Sequence, residues 1–73
     1  MPSSTYSIRR RPRYQVNTIM RRAKVRQQDV ADALGISQTT VSAALTRKSW
    51  LSDEMADRIW TEIERAVALA SRA

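Results

Sequence analysis

The stretch from Gln27 to Leu45 constrains this chain most, because it surrounds the only glycine in 73 residues, Gly35. Before the glycine, Val30, Ala31 and Leu34 fall at i, i+1 and i+4 and share one helical face. After it, Val41, Ala44 and Leu45 do the same for a second short helix. Gly35 takes φ > 0 without a Cβ penalty, so it ends the first helix. Ser37 can accept from a backbone N–H and start the second. Ala31 is small where the two helices must cross closely. The second helix then exposes Gln38, Thr39, Ser42 and Ala43. Such a pair is either an αα-hairpin that only packs or a helix-turn-helix whose second helix reads another molecule. The rest of the chain decides between them.

Seventy-three residues allow one domain, and a chain of that size buries only about 60% of its unfolded surface. The sequence has no cysteine and no histidine. That excludes disulfides, the common zinc sites and most nucleophile–base pairs. The remaining Ser, Lys, Asp and Glu show no spacing suited to catalysis, so the chain reads as a non-enzyme without cofactor or metal. Thirteen Lys and Arg against seven Asp and Glu give a net charge of +6. A balance this basic expects an anionic partner, either nucleic acid or an acidic membrane surface. No apolar run approaches the roughly 20 residues that span a bilayer. The N-terminus lacks the apolar core of a signal peptide, so the expected location is the cytoplasm, on the nucleoid. One glycine, two prolines, no phenylalanine and abundant Ala and Arg suit an all-α domain.

Residues 1–13 read as a disordered basic arm. Pro12 bars a helix before it, and Arg9, Arg10, Arg11 and Arg13 repel one another until they meet an anion. Tyr6 and Ile8 are the arm's candidate anchors to the core. Residues 14–73 then form the domain. Its first helix, from Arg13 or Tyr14 to about Ala23, carries Val16, Ile19, Met20 and Ala23 at i, i+3, i+4 and i+7. Arg21, Arg22, Lys24 and Arg26 cluster at its end, where cations suit the helix dipole. Gln27–Leu34 and Gln38–Leu45 follow. Ser52 is the N-cap of the last helix, which starts near residue 53 with Asp53 and Glu54 in its first turn. Leu51 is placed to staple that start. Met55, Ile59, Ile63, Ala66 and Ala70 form its apolar stripe, widened by Trp60, Val67 and Leu69. Four helices result, with room for a fifth.

These residues carry a family resemblance. Gln27, Val30, Ala31, Asp32, Gly35, Gln38, Val41, Ala43 or Ala44, and Leu45 stand at the spacing of the helix-turn-helix in lambda-type phage repressors. Asp29, Val30, Ala31, Gly35, Ser37, Thr40, Val41 and Ser42 match the lac repressor family, with Ile36 where valine is usual. The likeness covers about residues 22–67. It implies a lambda-repressor-like helix-turn-helix bundle with a flexible basic arm. The helix before the motif is lambda-like and foreign to the lac family. The sugar-binding domain of the lac family has no room, so no small-molecule effector domain is expected. Ala43 stands where the lac family often has a base-reading arginine.

The resemblance makes Gln38, Thr39, Ser42 and Ala43 the base-reading residues, since an α-helix fits the major groove and Gln can pair bidentately with adenine. It makes Gln27 a brace and phosphate contact. Ser37, Thr40, Arg22, Lys24, Arg26, Arg47 and Lys48 are the expected backbone contacts, which set register without reading sequence. The function so implied is sequence-specific double-stranded DNA binding, as a phage or mobile-element transcriptional repressor. The alternative is the DNA-binding module of an excisionase, transposition regulator or antitoxin. Single units bind weakly, so a homodimer on a palindromic operator is expected. Trp50, Trp60, Ile63, Val67 and Leu69 exceed what one small core needs. Of these, Trp60, Ile63, Val67 and Leu69 on the last helix are the candidate dimer interface.

Overall fold

A computed structural model describes residues 8–71. Regular structure among them is entirely helical: a single 3-10 turn at Ile8–Arg10, then α1 (Arg13–Arg22), α2 (Gln27–Leu34), α3 (Gln38–Leu45) and α4 (Asp53–Ser71). The boundaries of α2 and α3 agree with the sequence reading. The expected bar to helix before Pro12 needs one correction, because the 3-10 turn precedes it, closed by Arg11 N–H donating to the Ile8 carbonyl at 3.0 Å. A 3-10 turn needs only one i→i+3 bond, so it forms where an α-helix cannot.

The helix ends follow local chemistry. Ser37 Oγ accepts from Thr40 N–H at 3.2 Å at the start of α3, and Ser52 Oγ accepts from Met55 N–H at 3.1 Å at the start of α4. At α2, Asp29 accepts from the Arg26 backbone N–H at 3.0 Å, which is the reciprocal half of a capping box. Arg26, having no side-chain acceptor, cannot supply the other half. The C-terminal ends of α1, α2 and α3 share one geometry. Val25 N–H donates to Met20 O, Ile36 N–H to Ala31 O and Lys48 N–H to Ala43 O, each at about 3 Å. The residue before each donor is left-handed: Lys24 (φ 59°), Gly35 (φ 69°) and Arg47 (φ 54°). All three are Schellman closures. Only the middle one uses glycine, so the other two carry a Cβ strain of about 1 kcal/mol each.

α4 is the helix the others share, since α1, α2 and α3 all pack against it. The core joins Val16 and Met20 of α1, Val30 and Ala31 of α2, Val41, Ala44 and Leu45 of α3, and Ile59, Trp60, Ile63 and Val67 of α4. Ile8 belongs to it as well, at 3% exposure. Ile8 is thus the anchor to the core that the sequence suggested, and the disorder expected through Arg13 is corrected from Ile8 onward, while Tyr6, the other candidate anchor, and the rest of residues 1–7 lie outside the described residues. The dimer-interface expectation is corrected at three positions. Trp60, Ile63 and Val67 are buried in the protomer's own core, because a helix packed by three others needs a wide apolar face. Leu69 remains exposed, at 51%, and Trp50 on the α3–α4 linker at 64%. Among the described residues no helix is long and apolar enough to cross a membrane.

Candidate nucleic-acid interface

α3 turns Val41, Ala44 and Leu45 inward, which leaves Gln38 and Thr39 exposed and Ser42 half-buried on its outer face. These three share a shallow depression of about 260 Å³ with Gln27, the first residue of α2. The Gly35–Ser37 turn brings this about: it reverses the chain tightly enough that the start of α2 lies beside the start of α3. Three of the four expected reading residues and their expected brace are thus neighbours. Ala43 is the exception and a correction, because it is 4% exposed. One residue past Ser42 turns the side chain by about 100° around the helix, away from the open face. There Ala43 lines a different depression with Leu51, Ala56 and Trp60.

A second depression, of about 470 Å³, adjoins the first and shares Gln27 and Gln38 with it. Asn17, Arg21, Arg26 and Gln28 complete its polar rim, over Met20 and Val25. Gln28 is held along α2 by donating to Asp32 Oδ1 at 2.7 Å. Arg26 leans loosely on Asp29 at 3.4 Å and stays exposed. The Arg26 backbone N–H bond, with that contact second to it, holds the Asp29 carboxyl below its ordinary range. Arg21, one of the cations clustered at the end of α1, borders the face that carries Gln27 and Gln38. Arg22, expected as a backbone contact, lines a depression with Ile19, Ala23, Val67 and Ala70 beside the end of α4. The helical wheel separates neighbours by about 100°, so a choice between Arg21 and Arg22 needed the position of α2. Lys24 is exposed on the α1–α2 turn. Ser37 and Thr40 share a hydroxyl–hydroxyl bond of 2.9 Å, so capping α3 engages both.

The remaining basic residues divide sharply. Arg10, Arg11, Arg13 and Lys48 are exposed. Arg9, expected in the free arm, is instead fixed to α4. Its Nε and Nη2 donate to the two oxygens of Glu64 at 3.2 and 2.9 Å, and its Nη1 to Asp57 Oδ1 at 2.7 Å. These bonds raise the Arg9 pKa, so the group is charged at any working pH. Arg47 is also diverted from the expected role. Its Nη2 donates to the carbonyls of Arg9 and Arg11 at 2.6 and 3.2 Å, and its guanidinium lies 5.7 Å from the Trp60 ring centroid.

Charge is segregated along the chain. Five of the seven acidic residues, Asp53, Glu54, Asp57, Glu62 and Glu64, lie on α4, which carries only Arg58 and Arg65 in return. Before Ser49 only Asp29 and Asp32 oppose the arginines and lysines of the N-terminal segment, α1 and the turns. No family model, curated protein or solved structure matches the chain.

Proposed function

We propose that this chain is a sequence-specific double-stranded DNA-binding protein of the helix-turn-helix kind, with α3 as the helix that enters the major groove. The observation that carries the reading is the shared face of exposed Gln38 and Thr39 with half-buried Ser42 and Gln27, rimmed by Arg21 and Arg26. Gln38 at the first turn of α3 can take adenine N6 and N7 together. Thr39 and Ser42 are short, so each meets one base edge or a thymine methyl. None of these side chains is charged, so most of the affinity comes from arginine and lysine on phosphates. The acidic α4 supports one orientation, since a duplex repels it and attracts the basic side formed by α1 to α3.

The regulatory role proposed is repression by a small phage or mobile-element protein, working as a dimer on a two-fold symmetric operator. Two copies would then place their α3 helices one duplex turn apart, about 34–36 Å, or a multiple of it. Of the four side chains expected at a dimer face, only Leu69 is still exposed enough to contribute. Selection of bound duplexes from a random pool tests the reading as a whole. Enrichment of a short palindromic site supports it. Retention of all sequences alike, or of none, contradicts it.

A further inference from the structure

The N-terminal arginines are not all alike, and the difference lies in what holds Ile8–Arg11. Three independent contacts fix this segment. Ile8 fills a place in the core. Arg9 forks onto Glu64 and reaches Asp57, both on one side of α4. Arg47, the residue that closes α3, donates to the carbonyls of Arg9 and Arg11 from the other direction. The backbone of Arg9–Arg11 therefore lies within one arginine side chain of the end of α3. Arg10 and Arg11 are exposed on that segment, and Lys48 is exposed next to Arg47.

We propose that Arg9 and Arg47 are positioning residues, a clip that locks Arg10 and Arg11 beside the C-terminal end of α3, where with Lys48 they form a preorganised phosphate-binding ridge. The inference rests on the DNA-binding reading above and adds to it a division of labour. Arg9 and Arg47 spend their guanidinium groups on the protein, and Arg10, Lys48 and Arg11, the last with its Nη1 also donating to Gln15 Oε1 at 3.2 Å, meet the duplex. Fixing a cation before binding removes the ordering cost it would otherwise bear on the DNA. It also sets the ridge at a constant offset from Gln38 along α3, so backbone contacts fix the register in which the base edges are read.

The double variant Asp57→Asn with Glu64→Gln separates this from a plain charge effect. It removes two negative charges, so the protein becomes more basic. If only net charge mattered, the variant would bind DNA more tightly. If the clip matters, binding to the selected site weakens about 3- to 10-fold, the cost of ordering a loosened segment. Arg9→Lys is the second variant, with net charge unchanged and the planar fork lost. It should weaken the same binding in the same direction. Helicity by circular dichroism verifies that each variant is folded. Hydrogen exchange at the Arg11 amide, which donates to Ile8 O in the docked turn, should accelerate in both without any DNA present. Weaker binding with faster exchange supports the clip. Equal or tighter binding by the folded variants, or unchanged Arg11 exchange, overturns it. A parent protein that binds no duplex overturns the DNA reading itself, while the exchange result still decides whether the clip exists.

Discussion

Replacing Ile8 with alanine should destabilise the domain far more than a residue in a loose arm could. The Ile8 side chain is buried in the core formed by all four helices. The substitution removes three carbons, and at ~0.8 kcal/mol per buried methylene-sized group the loss is about 2.4 kcal/mol. A cavity adds little here, because a segment near a chain end can relax inward. A domain of 73 residues holds about 4–11 kcal/mol in total, so the change takes a large share of it. The assay is urea unfolding followed by circular dichroism. With a slope of about 1 kcal/mol/M for a domain this small, the midpoint should fall by about 2 M with the slope unchanged. A midpoint shift below about 0.5 M would refute the docking of Ile8 and with it the attachment of the N-terminal segment.

Other outcomes follow from the helix ends and the charges. Lys24→Gly should stabilise by about 1 kcal/mol in thermal melts, because it relieves a left-handed side-chain residue. Gly35→Ala should cost about the same for the opposite reason, since a Cβ there meets no neighbouring atom and only the backbone conformation is strained. Asp29 is held below its ordinary pKa by the Arg26 N–H and guanidinium, so its contribution is present at neutral pH and is lost as pH falls through the folded-state value. The urea midpoints of the parent and Asp29→Ala should therefore differ at pH 7 and converge as the pH is lowered below the folded-state value. Binding to duplex DNA should weaken steeply with salt, with a log–log slope of about −4 to −8 for about five to eight neutralised phosphates. A flat salt dependence in fluorescence anisotropy would rule out the phosphate contacts.

The parts of the molecule that local chemistry decides were legible in the sequence. Gly35 and Ser37 mark the α2–α3 turn almost unaided, and Ser52 marks the start of α4. The outward set of Gln38, Thr39 and Ser42 followed from the inward set of Val41, Ala44 and Leu45. Ala43 was misread because alanine suits either side, and only the position of α4 shows that its side is closed. Trp60, Ile63 and Val67 looked surplus to one small core, whereas α1, α2 and α3 all pack against α4 and need its wide apolar face. The Arg9 clip was out of reach for another reason. Its partners lie 48 and 55 residues further along the chain, and no local pattern pairs one arginine among four with two carboxylates on a distant helix. Arg21 and Arg22 differ only in facing, so their roles waited on where the start of α2 and the end of α4 lie around α1.

The central claim is that α3 reads bases through Gln38. Gln38→Ala is well suited to test it, since alanine at an exposed first-turn position leaves the helix intact. The measurement is the affinity of parent and variant for the selected operator and for random duplex, at one salt concentration. The account predicts a loss of about 1–3 kcal/mol on the operator and almost none on random DNA. Equal losses on both, or no loss on either, would contradict it.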